Sequence, residues 1–327
     1  MIITQTPYRV SLFGGVTDYP AWYHEHGGAT LGMAIDRYCY VSVNHAPPGQ
    51  TARYRIAYSK IEDRDRVEDI EHPGARGVLQ HLDVRTPVAL GYQGDLLSGS
   101  GLGASSAYVV GLLMALRALL GRKHVERVSL ALEAIHVERH VINEPIGCQD
   151  QFYAALGGLT RLRFEPDGQM SAHAVHLSPE RQRGIEDSLV LVYTGVMRHA
   201  HEMAAKVIDA IPDRQRQLHR LAALTVEGLA ALERGTVAAL GLLLHRSWLL
   251  KREIHQEIAP PIVDALYEHG LACGALGGKL LGAGGGGFLL FCVPSERRAK
   301  FDAEIGAPCV RFRGAPDGCR VLVDGHK

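Results

Sequence analysis

The stretch Gly99-Ser-Gly-Leu-Gly-Ala-Ser-Ser-Ala107 decides the reading of this chain. Just upstream runs a strand-like segment, Val88-Ala-Leu-Gly-Tyr-Gln93, closed by Gly94-Asp95-Leu96-Leu97. Downstream, Tyr108–Leu120 is apolar and rich in helix formers, and Gly121 supplies a stop signal. A loop of three glycines and three serines therefore opens directly onto a buried-looking helix. Glycine permits left-handed torsions and a close approach of backbone to ligand. The first amides of a helix lack intrahelical partners and sit at the positive end of its dipole. That combination is an anion site, with a polyphosphate as the expected occupant. Ser105 and Ser106 could cap the helix or give a hydroxyl to a magnesium ion. The competing reading is an ordinary glycine-rich turn with serine caps.

The chain has 327 residues, enough for two domains or one large one. Lys+Arg and Asp+Glu are 35 each, so no basic footprint for nucleic acid exists at the whole-chain level. The six cysteines (39, 148, 273, 292, 309, 319) form no Cys-x-x-Cys pair, which argues against zinc and against a disulfide framework. Met1 leads straight into Ile2-Ile3-Thr4, with no charged and apolar leader pattern. The apolar run Val237–Leu244 is too short to span a bilayer. The expectation is a soluble, cytoplasmic protein with no membrane partner.

The opening, Ile2 to Phe13, reads as a strand broken by Gly14-Gly15 into the polar turn Val16-Thr17-Asp18-Tyr19-Pro20. Further strands are expected near Ala29–Ile35, Tyr38–His45 and Arg53–Ser59, and the charge-rich Lys60–Glu71 as a connection or helix. A helix over Val125–Val141 is broken by Asn143-Glu-Pro-Ile-Gly147, and Cys148–Leu156 reads as a short helix. The strand Leu159–Phe164 leads to the turn Glu165-Pro-Asp-Gly168, which serves as the expected boundary between domains 1–165 and 166–327. Beyond it lie a strand, Ser188–Thr194, and helical patterns over 200–211, 215–234, 237–258 and 262–270. Then come the glycine run Gly277–Gly287 and the apolar strand Phe288–Val293. A helix (Ser295–Ile305) and strands near Cys309–Arg313 and Cys319–Val323 finish the chain. This order fits sheets with helices on one face, in two lobes, better than strict βαβ alternation.

Gly282-x-Gly284-x-x-Gly287 matches a dinucleotide pattern, but a strand follows it where that reading needs a helix. Gly278-Lys279 resembles the end of a P-loop, yet Leu280 replaces Ser/Thr and Cys273 stands at the first glycine. His136-Val-Glu-Arg-His140 is not in the His-Glu-x-x-His order and reads as a helix-surface pair. What remains is three glycine-rich loops in a fixed order. Pro7-Tyr-Arg-Val-Ser-Leu-Phe-Gly14 with Thr17-Asp18-Tyr19, then Gly99–Ala107, then Lys279–Gly287, resemble the three signature motifs of the GHMP kinases. The resemblance covers nearly the whole chain. Within the superfamily the chain looks most like the D-glycero-D-manno-heptose 7-phosphate kinases, which phosphorylate the anomeric hydroxyl. Thr6-Pro-Tyr-Arg9, Thr17-Asp-Tyr-Pro20, Tyr58-Ser-Lys60, Gln149-Asp-Gln151, Tyr193-Thr-Gly195 and Ser247-Trp-Leu-Leu-Lys-Arg252 carry that likeness. Galactokinases have Glu-His where this chain has Gly15-Val16, which disfavours galactose.

The resemblance implies an α+β fold with a ribosomal-protein-S5-like N-terminal lobe and a ferredoxin-like C-terminal lobe. It implies ATP and Mg2+ in the cleft, with Gly99, Ser100, Gly101, Leu102, Gly103, Ala104, Ser105 and Ser106 wrapping the phosphates. Ser106, or its neighbour Ser105, and Glu138 are the implied magnesium ligands, although one extra residue separates Glu138 from Asp150. Asp150 matches the catalytic aspartate, and a carboxylate there can accept the proton of an attacking hydroxyl. The competing role for Asp150 is a cap on the short helix that follows. Arg9 matches an arginine beside that aspartate, where a guanidinium orients the carboxylate and offsets transferring charge. Asp18 matches a sugar-hydroxyl ligand, its rival being an Asx-type turn before Pro20. Gly14, Gly15, Tyr193, Gly284 and Gly285 complete the implied acceptor surroundings. Lys279 could be a nearby cation, and Arg198, Lys251 and Arg252 are candidates for the basic clamp that a sugar phosphate needs. Adenine is placed against the walls around Tyr58–Lys60.

The expected activity is phosphoryl transfer from ATP to the anomeric hydroxyl of an aldose, heptose 7-phosphate first. Two rivals stay open: a kinase for another sugar or alcohol, and a non-catalytic sugar or ATP sensor. The expected partner is a small-molecule sugar or sugar phosphate, and a homodimer is left open.

Overall fold

The computed structural model describes residues 1–97, 99–122, 125–197 and 200–325. Its architecture is α+β, with two sheets and helices packed on their faces. The first strand, β1 (Ile2–Phe13), is buried almost continuously from Thr6 onward rather than on alternate residues. Continuous burial means cover on both faces. The helix Ala104–Leu119 packs on one and the helix Gln215–Arg234 reaches the other. Glycines allow both approaches. A Cβ on Gly111 would lie 2.7 Å from Thr6 Oγ1, and one on Gly228 would lie 2.3 Å from the Phe13 ring.

β2 (Gly28–His45) runs antiparallel to β1, paired with it from Leu31 to Val43. It is a single strand where the sequence suggested two. The register steps from Pro7 opposite Tyr38 to Tyr8 opposite Ile35, so Asp36 and Arg37 bulge out. The bulge is held from outside: the Arg313 amide donates to Asp36 Oδ1 at 2.8 Å. β3 (Tyr54–Ala57), β4 (Ile61–Arg64), β5 (Val88–Gly94), β6 (Leu159–Phe164) and β7 (Met170–Ala174) extend this sheet. The segment Lys60–Glu71 thus contains β4 and a 3-10 turn, not a helix.

A second, antiparallel sheet contains β8 (Leu189–Tyr193), β9 (Gly277–Leu280), β10 (Phe288–Cys292) and β11 (Cys309–Val310), in the order β11-β8-β10-β9. All five residues of β10 are buried, flanked by β8 and β9 and covered by the helix Val237–Arg252. The last strand, β12 (Arg320–Asp324), returns to the first sheet and pairs with β1. The turn Glu165–Gly168, expected as a domain boundary, joins β6 and β7 of one sheet. The hydrophobic core is a single cluster running through both sheets. No helix among the described residues is long and apolar enough to cross a membrane.

Gly→Ala in a helix interior ordinarily stabilises by about 0.8–1.0 kcal/mol. Gly228→Ala should do the opposite, losing about 1–3 kcal/mol because the added methyl must displace the buried Phe13 ring. The urea midpoint of unfolding measures the sign.

Candidate active site

In the loop after β5, Gly99, Gly101 and Gly103 take φ of 73°, 75° and 75°. Left-handed glycines at every second position turn backbone N–H groups toward one side and make a concave anion cradle. The helix begins at Ala104, not Tyr108, because Gly103 in its left-handed conformation is the N-cap. No side chain caps it, so the first amides remain available. Ser105 and Ser106 lie inside the first turn and are not caps. Their hydroxyls point to one carboxylate, with Ser106 Oγ 3.1 Å and Ser105 Oγ 3.4 Å from Glu138 Oε1.

Glu138 sits in a π-helical turn, Val137–Val141, that ends the helix Arg127–His136. Such turns displace a side chain from the regular helical register and recur at functional sites. Gln151 Nε2 donates to Glu138 Oε2 at 2.5 Å and to Ser106 Oγ at 3.2 Å. Burial pushes the Glu138 carboxyl up to about 8, against the opposing pull of the hydrogen bonds it accepts from Gln151 and Ser106. A carboxylate beside a hydroxyl is a hard-oxygen pair suited to Mg2+, which keeps most of its ligands as water and phosphate oxygens. Gln151 Oε1, on the same amide, and Ser100 Oγ, in the glycine loop, are buried without a partner. Among the described residues no cluster of His, Cys, Asp and Glu is large enough to hold a metal unaided. A cation here would share its coordination with a ligand's phosphates.

Arg9 and Asp150 form a bidentate pair. Arg9 Nε donates to Asp150 Oδ1 at 2.7 Å and Nη2 to Oδ2 at 2.6 Å, while Nη1 donates to the Gly101 carbonyl at 2.6 Å. The Arg9 side chain is 6% exposed and that of Asp150 23%. Asp150 is the first residue of the helix Asp150–Leu156 but does not cap it, since its carboxylate is committed to the guanidinium. A Cβ on Gly103 would lie 3.2 Å from both Arg9 Cγ and Asp150 Oδ2. The cradle therefore rests directly on the pair.

The loop after β1 is strained. Val16, a β-branched residue, has φ of 80°. Gly14 also has φ of 80°, and a Cβ there would overlap the Ala29 carbonyl at 1.9 Å. Gly15 has room, with Ser11 Oγ 3.7 Å and Gln149 Nε2 4.0 Å from a would-be Cβ. Asp18 is fully buried and accepts from the amides of Val16 (3.1 Å) and Gln149 (3.3 Å). Its bond partner two residues away precedes it, so the arrangement is not the Asx turn that competed in the sequence. Burial, then the nearby Asp150 charge, pushes it up to about 6.

The third loop closes over the first two. A Cβ on Gly282 would lie 2.7 Å from Gly101 Cα, and the Phe288 amide donates to the Ser100 carbonyl at 3.1 Å. Gly284 and Gly285, with φ of 121° and 82°, pass against Ile258, whose carbonyl accepts from Gly285 at 2.9 Å. Tyr193 ends β8 with its ring against Phe288, its partner across the sheet. Lys251 and Lys279 are buried, each donating to backbone carbonyls. Arg252, the other described clamp candidate, pairs with Asp264 at 2.8 Å. Arg198 lies outside the described residues. Tyr58 donates to Glu62 and stacks edge-on with His72, which contacts Tyr108 in the second turn of the helix Ala104–Leu119.

The sequence profile "GHMP kinases N terminal domain" matches residues 73–158, and "GHMP kinases C terminal" matches 229–305. The chain belongs to the GHMP kinases. Across 308 residues this kinase is 25% identical to D-glycero-alpha-D-manno-heptose 7-phosphate kinase of Campylobacter jejuni, covering 91% of each chain. It is 26% identical over 340 residues to a galactokinase of Thermococcus kodakarensis, covering 92% of this chain and 91% of that one. A solved D-glycero-D-manno-heptose 1-phosphate kinase from Bacteriodes thetaiotaomicron has the same fold, with a TM-score of 0.81 at 22% identity over 99% of both chains.

Gln151 and the Ser11–Gln149 pair, with Ser11 Oγ donating to Gln149 Oε1 at 2.7 Å, had no assigned role in the sequence of this kinase. Their signal is two amides flanking Asp150 at the mouth of an otherwise apolar helix. A cavity of about 480 Å³ lies elsewhere, among Leu12, Met33, Leu156, Ile185 and Leu232, and is lined by none of the Arg9, Glu138 or Asp150 side chains. The site is located by its chemistry rather than by that cavity.

Glu138 supplies a stability test. Its carboxyl stays protonated in the folded state up to about pH 8, whereas the unfolded group ionises near its ordinary value of 4.5. The unfolded state thus binds fewer protons in that window, and stability falls as pH rises through it. Glu138→Gln should abolish this loss. Urea midpoints of both proteins at pH 5 and pH 8, without nucleotide or divalent cation, measure the difference.

Proposed function

We propose that this protein is an ATP- and Mg2+-dependent sugar kinase. It transfers the γ-phosphate to the anomeric hydroxyl of a sugar phosphate, and D-glycero-D-manno-heptose 7-phosphate is its acceptor. The observation that carries the reading is the Arg9–Asp150 fork lying against the underside of the Gly99–Gly103 cradle. A carboxylate held there faces the place where a terminal phosphate would meet a hydroxyl.

In this reading, the amides at 99–106 bind the phosphates of ATP. Ser106 and Glu138, both oriented by Gln151, would hold Mg2+, which would supply positive charge beside the phosphates. The acceptor's anomeric oxygen attacks the γ-phosphorus while its proton passes to Asp150. The bond from that phosphorus to the bridging oxygen breaks, and its electron pair leaves with ADP. Arg9 fixes both carboxylate oxygens and so the direction of the proton-accepting lone pair. Asp18, Gly14, Gly15, Tyr193, Gly284 and Gly285 are the residues this reading assigns to the acceptor.

The heptose assignment draws on the two heptose phosphate kinases among the relatives and on the space beside Gly15. The reading places the enzyme in the cytoplasm and leaves a dimer open as its assembly. Release of ADP should be seen with a heptose 7-phosphate and not with ATP alone, and phosphate should appear on the anomeric carbon in the product's NMR spectrum. ADP release without acceptor dependence, or phosphate at another carbon, would reject it. Asp150→Asn should retain nucleotide binding while kcat falls about 10²–10⁴-fold. Near-normal kcat in that variant would remove Asp150 from the chemistry.

A further inference from the structure

Lys251 stands in the last turn of the helix Val237–Arg252, which packs on β9. It is buried, and among the described residues its ammonium has no carboxylate partner: it donates to the carbonyls of Leu280 at 3.0 Å and Gly282 at 2.5 Å. Burying an ammonium costs free energy unless its protons are taken up. Here the two acceptors are the last residue of β9 and the first glycine of the third loop, two residues further on. The charge thus closes the turn by which β9 enters that loop. Burial, with Lys279 and Arg9 nearby, holds the amine well below the ordinary lysine range.

The contacts continue from that turn to the candidate chemistry. Gly282, at φ of 68°, lies against Gly101, and the Gly101 carbonyl accepts from Arg9 Nη1 at 2.6 Å. Arg9 in turn holds both oxygens of Asp150. A parallel tie runs from Lys279 on β9, whose ammonium donates to the Leu12 carbonyl of β1 at 3.0 Å. We propose that Lys251 is a positioning residue: by fastening the third glycine loop against the phosphate loop, it sets the Gly101 carbonyl that locks Arg9 onto Asp150. It does this in place of contacting a substrate phosphate itself.

Lys251→Met keeps the stem and removes the donors. Amide hydrogen exchange should then accelerate in residues 280–287 and also in 99–103, a result that needs no turnover. Faster exchange confined to 280–287, or no change, would overturn the coupling. The second readout rests on the kinase reading. With that activity, kcat should fall about 100-fold and equally for acceptors with and without a terminal phosphate, with acceptor KM little changed. A rise in KM confined to phosphorylated acceptors makes Lys251 a substrate clamp and overturns the proposal, as does unchanged kcat. Should Lys251→Met fail to fold, Gly282→Ala carries both readouts, because its methyl would meet Gly101 Cα at 2.7 Å and part the same two loops. If the wild type turns over no acceptor, the kinase reading fails while the exchange experiment still decides the coupling.

Discussion

The guanidinium of Arg9 is the constraint on which the site depends. It lies within the fully buried run of β1, where a cation is tolerable only if its donors are met. Each partner comes from a different part of the chain: Asp150 from the start of a helix, Gly101 from the phosphate loop. Removing any one of them leaves a desolvated charge or acceptor behind. Folding of the first sheet and assembly of the cradle are therefore coupled by the same three hydrogen bonds.

Three buried or half-buried acids surround this centre, and their environments separate them. Glu138 is enclosed by neutral donors, and burial dominates, raising it to about 8. Asp18 is raised to about 6 by burial and then by the neighbouring Asp150 charge, against the pull of the hydrogen bonds it accepts. Asp150 is the acid paired with a guanidinium and the most exposed of the three. Divergent surroundings let neighbouring carboxyls take different tasks; in the proposed reaction these are binding a cation, holding the backbone and accepting a proton.

Local chemistry made part of this legible in the sequence. The glycine loop, the helix Gln215–Arg234 and the apolar strand at Phe288 are written in periodicity and composition over a few residues. What escaped was set by distant partners. The helix start at Ala104 depends on a left-handed Gly103 wedged against Arg9 and Asp150, not on a polar cap. The unity of β2 depends on a bulge pinned by Arg313, far along the chain. The hairpin at Glu165–Gly168 looked like a boundary because a turn inside a sheet and a turn between domains share the same residues. Lys251 carries the plainest case. A lysine near the end of a helix reads as a solvated cation, and only the carbonyls of Leu280 and Gly282 turn it into a tie.

Glycine does more here than bend the chain. Gly101 and Gly282 meet backbone to backbone, and Gly103 meets Arg9 and Asp150 with no side chain between. The Gly101–Gly282 contact leaves no side-chain atoms to absorb a displacement, and interiors packed this closely transmit strain rather than dissipate it. A shift of the third loop must therefore move the phosphate loop, and a shift of the phosphate loop must move the acid. In the phosphoryl transfer proposed above, whose rate would depend on alignment more than on reactive side chains, that stiffness would itself be the asset. It also explains how so much of the site can be bare backbone: the precision comes from how the loops interlock, and the few charged groups serve to hold them there.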